Sequence, residues 1–127
     1  MHLTASFRKV DSVVVVYLKG KILFGNEVET ISRQVFALAA SSRNVVLELS
    51  NLTDMCSGDL GSLWLQYMQA QASGWHIRIS GVPSHIQQLI EGARIESVFE
   101  IHPTEEEAIA AFQAGNSALV ADSSPAA

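Results

Sequence analysis

The side chains best suited to chemistry lie in one polar segment, residues 50–61, which carries hydroxyl, thiol and carboxyl groups. Cys56 could act as a nucleophile there, because the N-terminus of a helix favours the thiolate form. The candidate bases His76 and His85 belong to other predicted elements, and the sequence places no general base at a known spacing from Cys56. We therefore interpret Cys56 as a small packing residue, and we expect no catalytic residue and no enzymatic activity.

Residue patterns that bind metals or nucleotide cofactors are missing from the sequence. The four histidines are scattered without the short spacings of metal ligands, and a single cysteine cannot form a cysteine cluster. They are His2, His76, His85 and His102. No glycine-rich loop of the P-loop or dinucleotide-binding type occurs. We expect no metal and no cofactor.

The polar segment connects a predicted strand to a predicted helix. Residues 45–49 are an apolar run typical of a strand inside a covered sheet, and a helix is predicted over residues 57–73. Residues 50–61 are predicted to be loop-like and polar, and their last part overlaps the predicted start of this helix. In open α/β sheets, ligands and partners bind at the carboxyl ends of strands, and the N-terminus of the following helix favours anions such as a phosphoryl group.

The remaining elements predict an α/β fold. Residues 3–10 and 13–18 predict a hairpin, and further strands are predicted over residues 75–80 and 98–101. Helices are predicted to begin at Asn26, after Pro83 and at Thr104, which opens a capping box. Gly74 is predicted to end the second helix in a left-handed conformation. The alternation implies a mostly parallel mixed sheet, with an antiparallel N-terminal edge hairpin and about four helices.

Helical spacing assigns a buried side to the first two helices. The apolar residues of the first helix are Val28, Ile31, Val35 and Leu38. Ser32 is predicted on its polar side. The apolar residues of the second helix are Leu60, Leu63, Trp64, Tyr67 and Met68. Core packing is the preferred interpretation for the last three, and an exposed face that docks a partner or an apolar ligand is the alternative.

Length and charge restrict the function classes. The chain has 127 residues and a net charge of −5, which suits one globular domain. The acidic balance argues against binding to nucleic acid or to an anionic membrane surface, because both attract Lys and Arg. No apolar run is long enough to insert into a membrane, and no signal peptide is recognised, so we expect a cytoplasmic protein. We predict a domain over residues 1–113 and a flexible tail over residues 114–127.

The motifs around the polar segment resemble the STAS domain family, which includes the anti-sigma factor antagonists (anti-anti-sigma factors). Members have a strand ending in a Leu-Ser-like pair, followed by a loop similar to Met-Asp-Ser-Ser-Gly-Leu-Gly that opens a helix. The matching residues here are Leu49-Ser50, Met55-Cys56-Ser57-Gly58-Asp59 and Leu60-Gly61. The resemblance continues through Gly20, the strands at residues 45–49 and 75–80, and residues 98–102, and it covers residues 1–112. It implies a STAS-like (SpoIIAA-like) fold.

The resemblance also implies a phosphorylation switch, from which this sequence departs. In anti-sigma factor antagonists, a partner kinase phosphorylates the second serine of the loop, and the phosphate breaks the complex. That position is Gly58 here. Cys56 replaces the preceding acidic residue, Asp59 replaces the following glycine, and Leu23 replaces an Asp that is frequent after the early Gly-x-Leu.

Three interpretations of this loop stay open. The first is a binding surface without the switch, and the second moves the phosphoacceptor to Ser57. In the third, Asp59 partly imitates the phosphorylated state, since a carboxylate has less charge than a phosphate. Asp59 could equally do no more than stabilise the N-terminus of the helix.

The function implied by the resemblance is protein binding in bacterial partner-switching signalling. The expected partner is an anti-sigma factor with serine kinase activity, and a homodimer is also considered. The residues expected to bind it are Asp54, Met55, Cys56, Ser57, Gly58, Asp59 and Ser62. One alternative is a STAS scaffold that is not phosphorylated, or a subunit of a larger assembly that binds a small ligand or lipid. The least favoured alternative is a thiol or serine enzyme.

Overall fold

Strands and helices alternate after an opening hairpin, as the sequence predicts. The computed structural model describes residues 3–21, 25–54, 57–95 and 97–113. In chain order the elements are β1 (Thr4–Val10), β2 (Val13–Lys21), α1 (Gly25–Leu38), β3 (Asn44–Asp54), α2 (Ser57–Ala72), β4 (His76–Ser80), α3 (Ser84–Gly92), β5 (Glu100–His102) and α4 (105–113). The predicted tail over residues 114–127 lies outside the described residues, as do residues 22–24, which include Leu23.

The five strands form one mixed sheet in the order β1-β2-β3-β4-β5. β1 pairs antiparallel with β2, and every later neighbour pairs in parallel. The hairpin turns at Asp11, which adopts a positive φ of 54°, so that Val10 faces Val13. The predicted fold class, an α/β sheet with an antiparallel edge hairpin, is confirmed.

Each face of the sheet is covered by helices. Val14 and Val16 of β2 pack in a core with residues of α1, α2 and α3. Val13 and Val15, which point the opposite way because side chains alternate along a strand, pack against Phe112 of α4. Burial on both faces explains why β2 and β3 are such continuous apolar runs.

β3 is longer than predicted, and this corrects the interpretation of residues 50–54 as loop. They continue the strand to Asp54 and pair with residues 19–21 of β2. The register shifts twice on the way, between Tyr17 and Lys19 and between Gly20 and Lys21, so β3 uses extra residues relative to β2. Such bulges bend a strand and interrupt the alternation of apolar and polar residues that identifies a strand in a sequence.

Three side chains lie on the side opposite to the one predicted. Leu38 is 52% exposed, because it is the last residue of α1 and lies in a cleft beside the edge strand β1. Met68 is 41% exposed, whereas Tyr67, one position earlier on α2, is buried. Ser32 is buried, and its hydroxyl donates a hydrogen bond to the Tyr67 hydroxyl at 3.3 Å, which makes a polar side chain acceptable between α1 and α2.

Element boundaries differ from the predictions by small amounts. α1 begins at Gly25, one residue before Asn26, and β5 begins at Glu100, two residues later than predicted. The Thr104 hydroxyl accepts a hydrogen bond from the Glu107 N–H at 3.2 Å, which confirms the predicted N-terminal cap of α4. Gly74 has a φ of 97°, as predicted for the end of α2.

Candidate protein-binding site

The candidate site lies where the central strand β3 leads into α2. β3 ends at Asp54 and α2 begins at Ser57, so the helix start predicted at residue 57 is confirmed. Met55 and Cys56 lie outside the described residues, and the side chains of Asp54, Ser57 and Asp59 are likewise not described. Of the predicted binding residues, the backbone thus locates Asp54 at the carboxyl end of a central strand and residues 57–62 at the N-terminus of a helix, where ligands of α/β proteins bind.

The first turns of α2 are open to solvent on one side. Gly58, Gly61 and Ser62 are exposed. The Ser62 hydroxyl donates a hydrogen bond to the Gly58 carbonyl at 3.2 Å. A Cβ atom built on Gly61 would meet no heavy atom within 4 Å, so the backbone of α2 can be approached closely there.

The exposed side of α2 continues with large apolar side chains. Leu65 is 53% exposed and Met68 is 41% exposed. From Leu60 to Ala72 the sequence has no charged residue, which is unusual for a solvent-facing helix. Depletion of charge together with exposed Met and Leu is characteristic of the centre of a protein interface.

Two of the three side chains considered for a docking face belong to the core. Trp64 is buried, donates its indole N–H to the Ile95 carbonyl at 3.2 Å and packs edge-on against Phe99 at 5.2 Å. Tyr67 is also buried, and this burial raises the pKa of its hydroxyl to about 12 from an ordinary value of 10, although the Ser32 hydrogen bond acts in the opposite direction. Core packing is thus confirmed for Trp64 and Tyr67 and is wrong for Met68.

An open cleft of about 320 Å³ lies beside α2. It is lined by Phe36, Gln66, Gln69, Ala70, Ser73 and Trp75. The centroids of the Phe36 and Trp75 rings lie 4.9 Å apart, and the rings are nearly edge to face. The sequence did not single out this cleft, because its lining comes from α1, α2 and the segment before β4, which are separated along the chain.

The sequence analysis did not single out Glu48, whose carboxyl group is buried next to the site. It is 7% exposed and lies on β3 in the row of Tyr17 and Ser80. Its oxygens accept hydrogen bonds from the Ser50 N–H at 2.8 Å, from the Ser50 hydroxyl and from the Ser80 hydroxyl at 2.9 Å. The available signal was a lone acidic residue inside the apolar run at residues 45–49, since charged groups are rarely buried without partners.

The histidines do not form a site among the residues that the structure describes. His76 and His85 are exposed, and His102 contacts Arg78 at 3.1 Å. Arg78 also pairs with Glu100 at 2.8 Å and lies over the Phe112 ring at 4.9 Å, which links β4 and β5 to α4. Over residues 3–21, 25–54, 57–95 and 97–113, no group of three His, Cys, Asp or Glu residues could hold a metal ion.

Comparison with known proteins identifies the family. The sequence profile of the STAS domain matches residues 4–108, which is most of the chain. The chain belongs to the STAS family. No curated protein matches this STAS domain.

Solved structures share the fold of this STAS domain. An anti-sigma factor antagonist from Mycobacterium paratuberculosis is 20% identical, with a TM-score of 0.69 over 87% of this chain and 93% of that one. The unphosphorylated anti-sigma factor antagonist SpoIIAA is 18% identical, with a TM-score of 0.67 over 87% of this chain and 97% of that one. A variant of RsbS from Moorella thermoacetica is 14% identical, with a TM-score of 0.68 over 86% and 94%. The predicted SpoIIAA-like fold is thereby confirmed.

Within the described part of the chain, no helix is both long and apolar enough to cross a membrane.

Proposed function

We propose that this STAS domain is a protein-binding module of the anti-sigma factor antagonist type, acting in bacterial partner-switching signalling. Its partner is an anti-sigma factor with serine kinase activity. The binding surface consists of residues 54–62 and continues along the exposed side of α2 through Leu65 and Met68. In this proposal the protein acts in the cytoplasm and has no catalytic role.

The observation that carries this proposal is the exposed side of α2 beyond the carboxyl end of β3, where the sequence has no charged residue from Leu60 to Ala72. Leu65 and Met68 are the large apolar side chains that α2 leaves exposed, and Gly58 and Gly61 give access to its backbone. Apolar groups in this position gain free energy when a partner covers them. The family match and the fold shared with anti-sigma factor antagonists support a protein as that partner.

The proposed binding is constitutive with respect to the phosphorylation position of the family. Gly58 replaces the phosphoserine and has no oxygen to modify, so the kinase cannot release itself through this residue. Ser57 is the alternative acceptor, one residue earlier. Asp59 would mimic a phosphate only in part, because a carboxylate lacks the second charge and one of the three acceptor oxygens.

The test uses each serine kinase-type anti-sigma factor of the source genome, purified and mixed with the STAS domain, with and without Mg-ATP. We expect one of them to form a complex that Mg-ATP does not release, and we expect no phosphate on the STAS domain by mass spectrometry. The variant Gly58→Ser restores a hydroxyl at the family position, so its complex is expected to incorporate phosphate and dissociate. Ser57→Ala is the matched control, because it removes the neighbouring hydroxyl.

Other outcomes select between the alternatives. Phosphate at Ser57 of the unmodified chain, lost in Ser57→Ala, would replace constitutive binding with a switch displaced by one residue. Failure of every such kinase to bind would remove the proposed partner. A homodimer would be detected by light scattering of the isolated chain in the same experiment.

The cleft beside α2 favours one second candidate, a STAS subunit that binds a small apolar ligand or lipid in a larger assembly. Its aromatic side chains Phe36 and Trp75 and its volume of about 320 Å³ suit part of such a ligand. Native mass spectrometry of the purified chain tests this candidate, since a co-purifying lipid would support it.

A further inference from the structure

We infer that Glu48 is a positioning residue for the binding surface, because its carboxylate holds the bulge through which β3 approaches α2. The claim that Glu48 affects partner binding rests on the proposed function. The claim that Glu48 holds the backbone of β3 does not, because it can be tested in the free protein. Glu48 contributes nothing to the exposed surface, as it is 7% exposed.

The register of β2 and β3 locates the first bulge next to Glu48. Tyr17 pairs with Glu48 and Lys19 pairs with Asn51, so β3 advances by three residues while β2 advances by two. The extra residue lies within residues 49–50, where a bulge leaves a backbone N–H without its ladder partner. The Ser50 N–H donates instead to the Glu48 carboxylate at 2.8 Å. The side chain of Glu48 thereby supplies an acceptor for a backbone N–H inside the bulge.

The same carboxylate joins this bulge to the neighbouring strand. The Ser80 hydroxyl at the end of β4 donates to its second oxygen at 2.9 Å. Gly81 follows with a positive φ of 64°, and a Cβ atom there would lie 2.7 Å from the Ser50 hydroxyl oxygen and would also collide with the Glu48 carboxylate. The carboxyl ends of β3 and β4 therefore close around Glu48, with no room for a larger residue at position 81.

A second bulge lies between Glu48 and the start of α2. Gly20 pairs with Leu52 and Lys21 pairs with Asp54, so Thr53 is the extra residue. Its hydroxyl donates to the Gly20 carbonyl at 3.1 Å. The two bulges together set the direction in which residues 50–54 approach α2. The first bulge is held by the carboxyl group of Glu48, which accepts three hydrogen bonds.

The test measures native-state hydrogen exchange of individual amides in the free, full-length chain. Glu48→Val removes the acceptor, and we expect the amides of residues 50–54 to exchange about tenfold faster or more, after correction for global stability measured by urea unfolding. Glu48→Gln keeps an oxygen for the Ser50 N–H and an amide that can donate to Ser80, so we expect it to restore slow exchange. The matched control is Ile79→Val, a buried truncation on the opposite face of the sheet, which should accelerate exchange evenly.

Two results would overturn the inference. One is exchange in Glu48→Val that rises equally along all of β3, which would make Glu48 a general stabilising residue. The other is unchanged exchange over residues 50–54. If the valine variant does not fold, Ser80→Ala repeats the measurement with a smaller change in packing, because it removes one hydroxyl and leaves the Glu48 carboxyl group in place.

Binding of the kinase-type anti-sigma factor separates this inference from the proposed function. Faster exchange over residues 50–54 in Glu48→Val, with no complex formed by the wild type or any variant, would support the role of Glu48 in holding the backbone. The same result would remove the proposed partner. A wild-type complex that Glu48→Val binds as tightly, despite faster local exchange, would show that the bulge does not position the binding surface.

Discussion

Replacing Gly61 with alanine should make this STAS domain more stable and its proposed complex weaker. Gly61 lies inside α2, where alanine is favoured over glycine by about 0.5–1 kcal/mol because it restricts the unfolded chain. No heavy atom lies within 4 Å of the added Cβ position, so no steric penalty opposes the gain. For a chain of this length, the midpoint of thermal unfolding should rise by about 2–5 °C.

The same methyl group should weaken binding if a partner packs against the backbone of α2 at Gly61. Adding a methyl or methylene to a well-packed contact costs about 1–3 kcal/mol, which corresponds to about fivefold to 150-fold in the dissociation constant. Calorimetric titration with the kinase-type anti-sigma factor measures this change. An increase in stability together with a decrease in affinity would indicate that Gly61 lies in the interface, because a folding defect would lower both quantities.

Gly92→Ala provides the matched control. Gly92 is the last residue of α3, it also has open space around its Cβ position, and it lies outside the proposed surface. We expect a smaller gain in stability there and unchanged affinity. A loss of stability in Gly61→Ala would refute the open geometry of α2, and unchanged affinity in both Gly61→Ala and the bulkier Gly61→Gln would refute contact at this position.

Further predictions concern Tyr67, Gly81 and Leu65. Burial raises the pKa of Tyr67 to about 12, so the folded protein favours the neutral hydroxyl. The free energy of unfolding should therefore stay constant with respect to this group below pH 10 and fall by about 2–3 kcal/mol as the pH rises from 10 to 12. Tyr67→Phe should flatten that part of the urea-unfolding profile, and an equally steep fall in the variant would contradict it. Gly81→Ala should lower stability by about 1–2 kcal/mol or more in chemical unfolding, since its positive φ disfavours a Cβ and the site has no space for one. Leu65→Asp should change stability by less than about 0.5 kcal/mol yet abolish capture of the kinase, and retained capture would place the interface elsewhere.

The order of elements was predictable because local signals and the fold agree. The β-branched run of β2, the capping residues at Thr104 and the left-handed Gly74 each depend on interactions within a few residues. The start of α2 at Ser57 followed from the same kind of signal. Local chemistry was therefore enough to locate the junction between β3 and α2.

What could not be predicted depends on contacts between distant residues. Residues 50–54 looked like a loop because the bulges that accommodate them are defined by pairing with β2. Ser32 looked like a surface residue because its partner, Tyr67, is 35 positions away. Helical spacing allows either Tyr67 or Met68 to face the core. The way α1 and β4 pack against α2 decides which of the two is buried.

The coverage of the second sheet face by α4 has a consequence for how the protein is made. Val13, Val15 and Val46 belong to the first half of the chain, yet they are shielded by Ala108, Ile109 and Phe112. A ribosome therefore releases these valines well before the residues that cover them, and one face of the nascent sheet remains exposed to water until residues 108–112 have been added. Translation speed and chaperone access before residues 108–112 emerge should then influence how much of the chain aggregates.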